Sequence, residues 1–125
     1  MTTQASSTKI RYVSNALVNL RAKMGIKFEL GQLLILTKIF EKGEKGIPMV
    51  ELGRQLDSGA AFIGRNVTLF SDRGDKKGVS RNLIEIFYDP AHPRSKSVRM
   101  TEEGRELLSS LLSDLQPYFN DNNQL

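Results

Sequence analysis

Few side chains in this sequence could carry chemistry, and their types restrict what that chemistry is. The 125 residues include no cysteine and one histidine, His92. Disulfides, thiolate metal sites and thiol redox sensing are therefore excluded, and so is a His-rich metal centre. No acidic run has the interrupted spacing of a calcium loop, and no glycine-rich stretch has the spacing of a phosphate-binding loop. Glu102 and Glu103 are adjacent, so they diverge around a helix. A place in a first helical turn, where the helix dipole favours negative charge, explains them better than acid–base work. The expectation is a protein that is not an enzyme and needs no cofactor.

What remains is positive charge beside small polar residues. Arg65 projects from the middle of an expected helix, where a guanidinium suits a bidentate contact to guanine or a phosphate contact; a solvated surface charge is the alternative. Ser58, Ala60, Ala61 and Thr68 flank the same surface. Small residues at a helix start let the backbone approach phosphate, and the N-terminus favours an anion, although tight packing alone would also select them. Asn66 is either a base contact or a polar residue at a helix crossing. Arg94 and Lys96 sit where an expected hairpin would straddle phosphates. Lys76, Lys77 and Arg81 lie in a polar loop and form a weaker basic group, and His92 reads as a spacer in a proline-rich turn. Residues 1–53 hold 8 basic and 4 acidic side chains, 54–99 hold 9 and 5, and 100–125 hold 1 and 5. A basic body with an acidic tail suggests that the body meets a polyanion.

These residues need a scaffold, and hydrophobic spacing supplies one. Ile10, Val13, Leu17, Leu20 and Met24 repeat at helical intervals, predicting a helix over 8–23 capped by Ser6 or Ser7 and ended by Gly25. A second helix over 29–42 is apolar around much of its circumference, which suits a central position. Pro48 opens a short third helix that halts near Asp57-Ser58-Gly59. A fourth follows over 60–72 with Ile63, Val67 and Phe70 on one face. Two short helices joined by so tight a turn must cross steeply, with Gly53 allowing close approach. Residues 83–88 read as a strand and 96–100 as its hairpin partner. Thr101 caps a last helix with a leucine stripe, which Pro117 ends or kinks, and residues 120–124 look frayed.

The resulting order resembles the MarR-type winged helix-turn-helix regulators. Glu51-Leu52 and Leu56 look like the second motif helix of that family. Ile63, Arg65 and Val67, ending in Arg73-Gly74, resemble its recognition helix. Asp89-Pro90-Ala91-His92-Pro93-Arg94, followed by Val98 to Arg105, is similar to its wing and the start of the next helix. The resemblance spans about residues 30–112 and departs at Asp57, Asn66, His92 and the long 75–82 loop. It implies a mainly α fold with a β-hairpin wing, and a homodimer made by the N- and C-terminal helices. It further implies a sequence-specific contact with double-stranded DNA, and a small-molecule effector is possible on the same grounds.

One domain is expected over 1–125, with a helix-turn-helix at about 48–73 and a wing at about 83–100. The N-terminus lacks a signal-peptide pattern, and no apolar run approaches the roughly 20 residues of a membrane span. A soluble, cytoplasmic, nucleoid-associated protein is the expectation. Two further readings stay open from residues alone: a winged helix used as a protein-interaction adaptor, and a small replication or partition protein.

Overall fold

The computed structural model describes residues 3–25, 27, 29–73 and 82–123. The expected loop cations Lys76, Lys77 and Arg81 lie outside these residues. Contacts gather the chain into two compact units, one of residues 1–27 with 106–125 and one of residues 28–105.

The first unit contains α1 (Thr3–Met24), most of α5 (Glu102–Asp114) and α6 (Gln116–Asn123). Helix α1 starts earlier than its apolar spacing predicts, because nothing in Gln4-Ala5-Ser6-Ser7 breaks a helix. Ser6 and Ser7 are consequently helical, not caps. Ala16, Leu20 and Met24, spaced by four, are its buried face. Gly25 ends it at φ +68°, a left-handed position that glycine occupies without Cβ strain. Asn19 Nδ2 donates to Asp114 at 3.4 Å, and the Lys23 ammonium donates to the Ser110 hydroxyl. Pro117 does not simply stop the last helix. It occupies the first turn of a new one, where its missing N–H had no partner to lose. Helical backbone then continues to Asn123, past the point where the polar tail was expected to fray.

The second unit holds α2 (Leu30–Glu41), a 3₁₀ turn (Gly43–Lys45), β1 (Ile47–Pro48), α3 (Met49–Leu56), α4 (Ala60–Phe70), β2 (Ile84–Tyr88), β3 (Lys96–Met100) and the first turn of α5. Its core is aliphatic around one aromatic ring: Ile35, Leu36 and Ile39 of α2 are buried with Leu52, Ile63, Val67, Ile84 and Val98 and with Phe70. Helix α2 is central on that face, yet Leu30 and Leu34 stay exposed. The hairpin lies where its residues predict, but the sheet has three strands, ordered β1-β3-β2 and antiparallel throughout. A two-residue strand that contains a proline gives no sequence signal of its own.

Cross-strand register sorts the side chains. Ile47, Val98 and Ile86 form one row, and Ile84 faces Met100 on the same surface. The opposite surface carries Glu85 with Arg99 and Phe87 with Ser97. Thr101 caps α5 as expected, its hydroxyl accepting from the Gly104 N–H at 3.0 Å and donating to the Asn82 carbonyl at 2.6 Å. Gly104 is required because a Cβ there would run into the Leu83 carbonyl. Among the described residues no helix is long and apolar enough to cross a membrane.

Candidate functional site

The α3–α4 pair is held by a turn of unusual economy. Asp57 adopts the left-handed conformation at φ 52°, ψ 45°, a geometry that Asp accepts more readily than most side chains. Its N–H bonds back to the Arg54 carbonyl at 3.2 Å, and the next N–H, of Ser58, bonds to Gly53 at 2.9 Å. Gly53 is small for a steric reason: a Cβ would stand 3.0 Å from the Ser58 carbonyl and 3.6 Å from Ile63. The turn therefore brings the start of α4 against the back of α3 and fixes their crossing.

Helix α4 is divided cleanly in two. Ile63, Asn66, Val67 and Phe70 point inward and are buried, at i, i+3, i+4 and i+7. Ala61, Arg65 and Thr68 repeat at the same intervals on the other side and are exposed, as is Ala60. Arg65 makes no ion pair among the described residues. Ser58 is half-buried in the turn, its hydroxyl donating to the Leu56 carbonyl at 3.3 Å. Gly64 lies beside Arg65, and a Cβ on it would meet nothing within 4 Å. The structure thus gathers Ala60, Ala61, Arg65 and Thr68 on one free helix face, with Ser58 at its edge.

Asn66 does not join them. It is 7% exposed, its Nδ2 donates to the Phe62 carbonyl at 3.0 Å, and its Oδ1 accepts from Gln32 Nε2 at 3.1 Å. Of its two readings, the structure places it at a helix crossing, turned away from the face that bears Arg65.

The hairpin tip adds a second basic element. Arg94 and Lys96 are exposed and unpaired by any acid among the described residues. Tyr88, not selected from sequence, lies directly opposite Lys96 and is 76% exposed. Its alternation with Ile84 and Ile86 was the available signal, since a strand that outruns its core must present its last inward residue to solvent. The turn is ordered by Asp89, whose carboxylate accepts the Ala91 N–H at 2.9 Å and whose carbonyl accepts the His92 N–H at 2.8 Å. Lower on the hairpin, Arg99 donates to Glu85 at 2.9 Å and lies 4.2 Å from the centre of the Phe87 ring. The hydrogen bond from Arg99, and then its charge, hold the Glu85 carboxyl below its ordinary value against the opposing effect of burial.

Two clefts join these parts. One of about 570 Å³ runs between α3 and the start of α4, lined by Val50, Arg54, Ser58 and Ala60 among others. The other, of about 530 Å³, runs between α3 and the hairpin tip, lined by Val50, Arg54, His92 and Arg94 among others. Val50 and Arg54 line both, so hairpin tip, outer α3 and the start of α4 share one surface. Among the described residues no cluster of His, Cys, Asp or Glu could hold a metal ion.

No family model matches the chain, and no curated protein matches its sequence significantly. Solved structures do match. The chain is similar to MepR of S. aureus in a DNA complex, with a TM-score of 0.72 and 11% identity over 98% of this chain and 90% of that one. It is similar to the transcriptional regulator Tm0710 of Thermotoga maritima, with a TM-score of 0.61 and 20% identity over 97% and 80%. It is also similar to the PcaV regulator of Streptomyces coelicolor bound to its natural ligand, with a TM-score of 0.55 and 20% identity over 87% and 71%. The fold is that of the MarR-type winged helix.

Proposed function

We propose that this chain, folded as a MarR-type winged helix, is a sequence-specific double-stranded DNA-binding transcriptional regulator. The observation that carries the reading is the division of α4: one stripe buried, the other, Ala61-Arg65-Thr68, free and small apart from a single guanidinium. A helix braced from behind with such a face enters a major groove, about 12 Å wide, without steric conflict. Arg65 reads a base edge or grips a phosphate there. Arg94 and Lys96, with Tyr88, engage the backbone and minor groove from the hairpin. Ser58 and the α4 N-terminus lie toward a phosphate. Lys76, Lys77 and Arg81, outside the described residues, are the remaining cations of the DNA contact that this reading assigns.

The chain acts as a homodimer through its terminal helices. Ile10 and Val18 of α1 and Leu112 and Phe119 of the C-terminal helices are exposed apolar side chains of the first unit, the kind of patch that a partner covers. Two copies present two α4 helices to a palindrome. A small-molecule effector that changes their spacing is compatible with this scheme. The protein works in the cytoplasm, on the nucleoid, without catalysis.

Selection from a randomised duplex pool tests the reading. Recovery of a palindromic consensus by the purified 125-residue chain is the expected outcome. A pool that stays random after repeated rounds contradicts sequence-specific binding, and a winged-helix adaptor for a protein partner then becomes the better account.

A further inference from the structure

We infer that Gln32 and Asn66 are positioning residues that set the roll of α4 about its own axis, and so decide where Arg65 points. The inference rests on the DNA-binding reading of that helix and assigns its selectivity to side chains that touch no DNA.

Three hydrogen bonds form one unbroken chain from α2 to α4. The Glu29 N–H donates to Gln32 Oε1 at 3.0 Å, within the capping box that starts α2. Gln32 Nε2 donates to Asn66 Oδ1 at 3.1 Å, and Asn66 Nδ2 donates to the Phe62 carbonyl at 3.0 Å, one turn earlier in α4. Each amide is thereby oriented at both ends: reversing either would set donor against donor or acceptor against acceptor. Beside the chain, α2 and α4 touch closely, since a Cβ on Gly31 would stand 2.7 Å from the tip of the Phe62 ring. The ring limits how near the helices come, and the amides fix their rotation.

An apolar pair at the same crossing would serve stability as well, because buried polar groups cost free energy unless satisfied. What a satisfied polar chain adds is direction. Packed aliphatic side chains tolerate a helix roll of several degrees, whereas a hydrogen bond weakens steeply as its angle departs from linear. Asn66 and Arg65 are consecutive, about 100° apart around the helix, so fixing one fixes the other. At a side-chain radius of about 6 Å, a roll of ~10° moves a side-chain tip by about 1 Å. That exceeds the ~0.5 Å within which a binding constellation must be held. Contacts to phosphate, reached by flexible cations, are far less sensitive.

Gln32→Glu isolates the effect. The glutamate still accepts from the Glu29 N–H and preserves the cap, but it has no N–H for Asn66 Oδ1. The probes are the duplex recovered by the wild-type chain from a random pool and a scrambled duplex of equal length. Affinity for the recovered duplex is expected to fall about fivefold to 150-fold, the span of a lost bidentate base contact, with scrambled binding unchanged. Asn66→Ala should lose the same selectivity, and the double variant should lose no more than Asn66→Ala alone. Unchanged selectivity in Gln32→Glu overturns the inference, as does an equal loss on both duplexes, which would mark a purely structural role. A wild-type chain that recovers no preferred duplex refutes the DNA reading instead. Amide hydrogen exchange in the free protein then decides the positional lock: faster exchange across Arg65–Thr68 in Gln32→Glu sustains it, and unaltered exchange overturns it.

Discussion

Tyr88 stands directly opposite Lys96 across the hairpin, on the sheet face that nearer the body carries Ile86, Val98, Ile84 and Met100. The face that builds the core therefore continues past it, and beyond the body it ends in a phenol and an ammonium. If this is the part of the wing that meets DNA, Lys96→Ala and Arg94→Ala should weaken binding to all duplexes similarly. Each should also lower the magnitude of the log–log salt slope by about 0.9 for a lost phosphate contact. Tyr88→Ala should weaken binding without changing that slope. Anisotropy titrations over a salt series separate the two behaviours.

Arg65 calls for the opposite pattern. Arg65→Ala should cost about 1–3 kcal/mol on the preferred duplex and relax its sequence preference. The neighbouring Gly64 sharpens the test. Because its missing Cβ faces open space, Gly64→Ala should stabilise the fold by about 0.5–1 kcal/mol through helix propensity. The same methyl intrudes on a closely approached groove and should reduce affinity. Denaturant melts alongside anisotropy would show stability and binding moving in opposite directions; a variant gaining or losing both would count against the assigned face.

Much of this arrangement was legible from residue types. Helix spacing located α2 to α4, Gly53 and the halt at Asp57-Ser58-Gly59 announced a tight crossing, and Thr101 with Glu102 and Glu103 announced the start of α5. Three things were not legible, each for a physical reason. Asn66 could be a base contact or a crossing residue because its neighbour Gln32 lies 34 positions away in sequence, and only the fold brings their amides together. Strand β1 is two residues long and contains Pro48, so it has neither length nor alternation to announce it. Tyr88 read as one more strand residue, since alternation tells which face it takes but not where the core beneath that face ends.

Two glycines near the start of the sheet make a paired stability test. Gly43 and Gly46 both have positive φ, at 67° and 74°, but a Cβ on Gly43 would meet nothing, whereas one on Gly46 would stand 2.5 Å from the Val98 carbonyl and 3.0 Å from the Phe87 ring. Gly43→Ala should therefore cost only the left-handed penalty of about 1–2 kcal/mol. Gly46→Ala should cost more, because its ψ of −166° puts it in a region essentially reserved for glycine and the Val98 backbone cannot yield. Equal melting temperatures for the two variants would contradict this packing of β1 against β3.

The Glu85–Arg99 pair predicts a small acid sensitivity. Because the folded carboxyl titrates below its ordinary value, the pair contributes stability above the unfolded value of about 4.3 and loses it as pH falls through the lower folded value. With side chains 49% and 35% exposed, its contribution at neutral pH should stay below about 1 kcal/mol. Glu85→Gln should melt slightly below wild type at pH 7 and converge with it as the pH falls below about 4. A gap that widens on acidification would have the wrong sign for this pair.

The central claim, that the α4 face and the basic hairpin read DNA, is tested most directly by fluorescence anisotropy on the recovered and scrambled duplexes at two salt concentrations. Selective binding that weakens steeply with salt, by about 0.9 in slope per phosphate contact, with the preference between duplexes surviving at the higher salt, is the predicted result. Equal affinity for the two duplexes, or binding to neither, would contradict it.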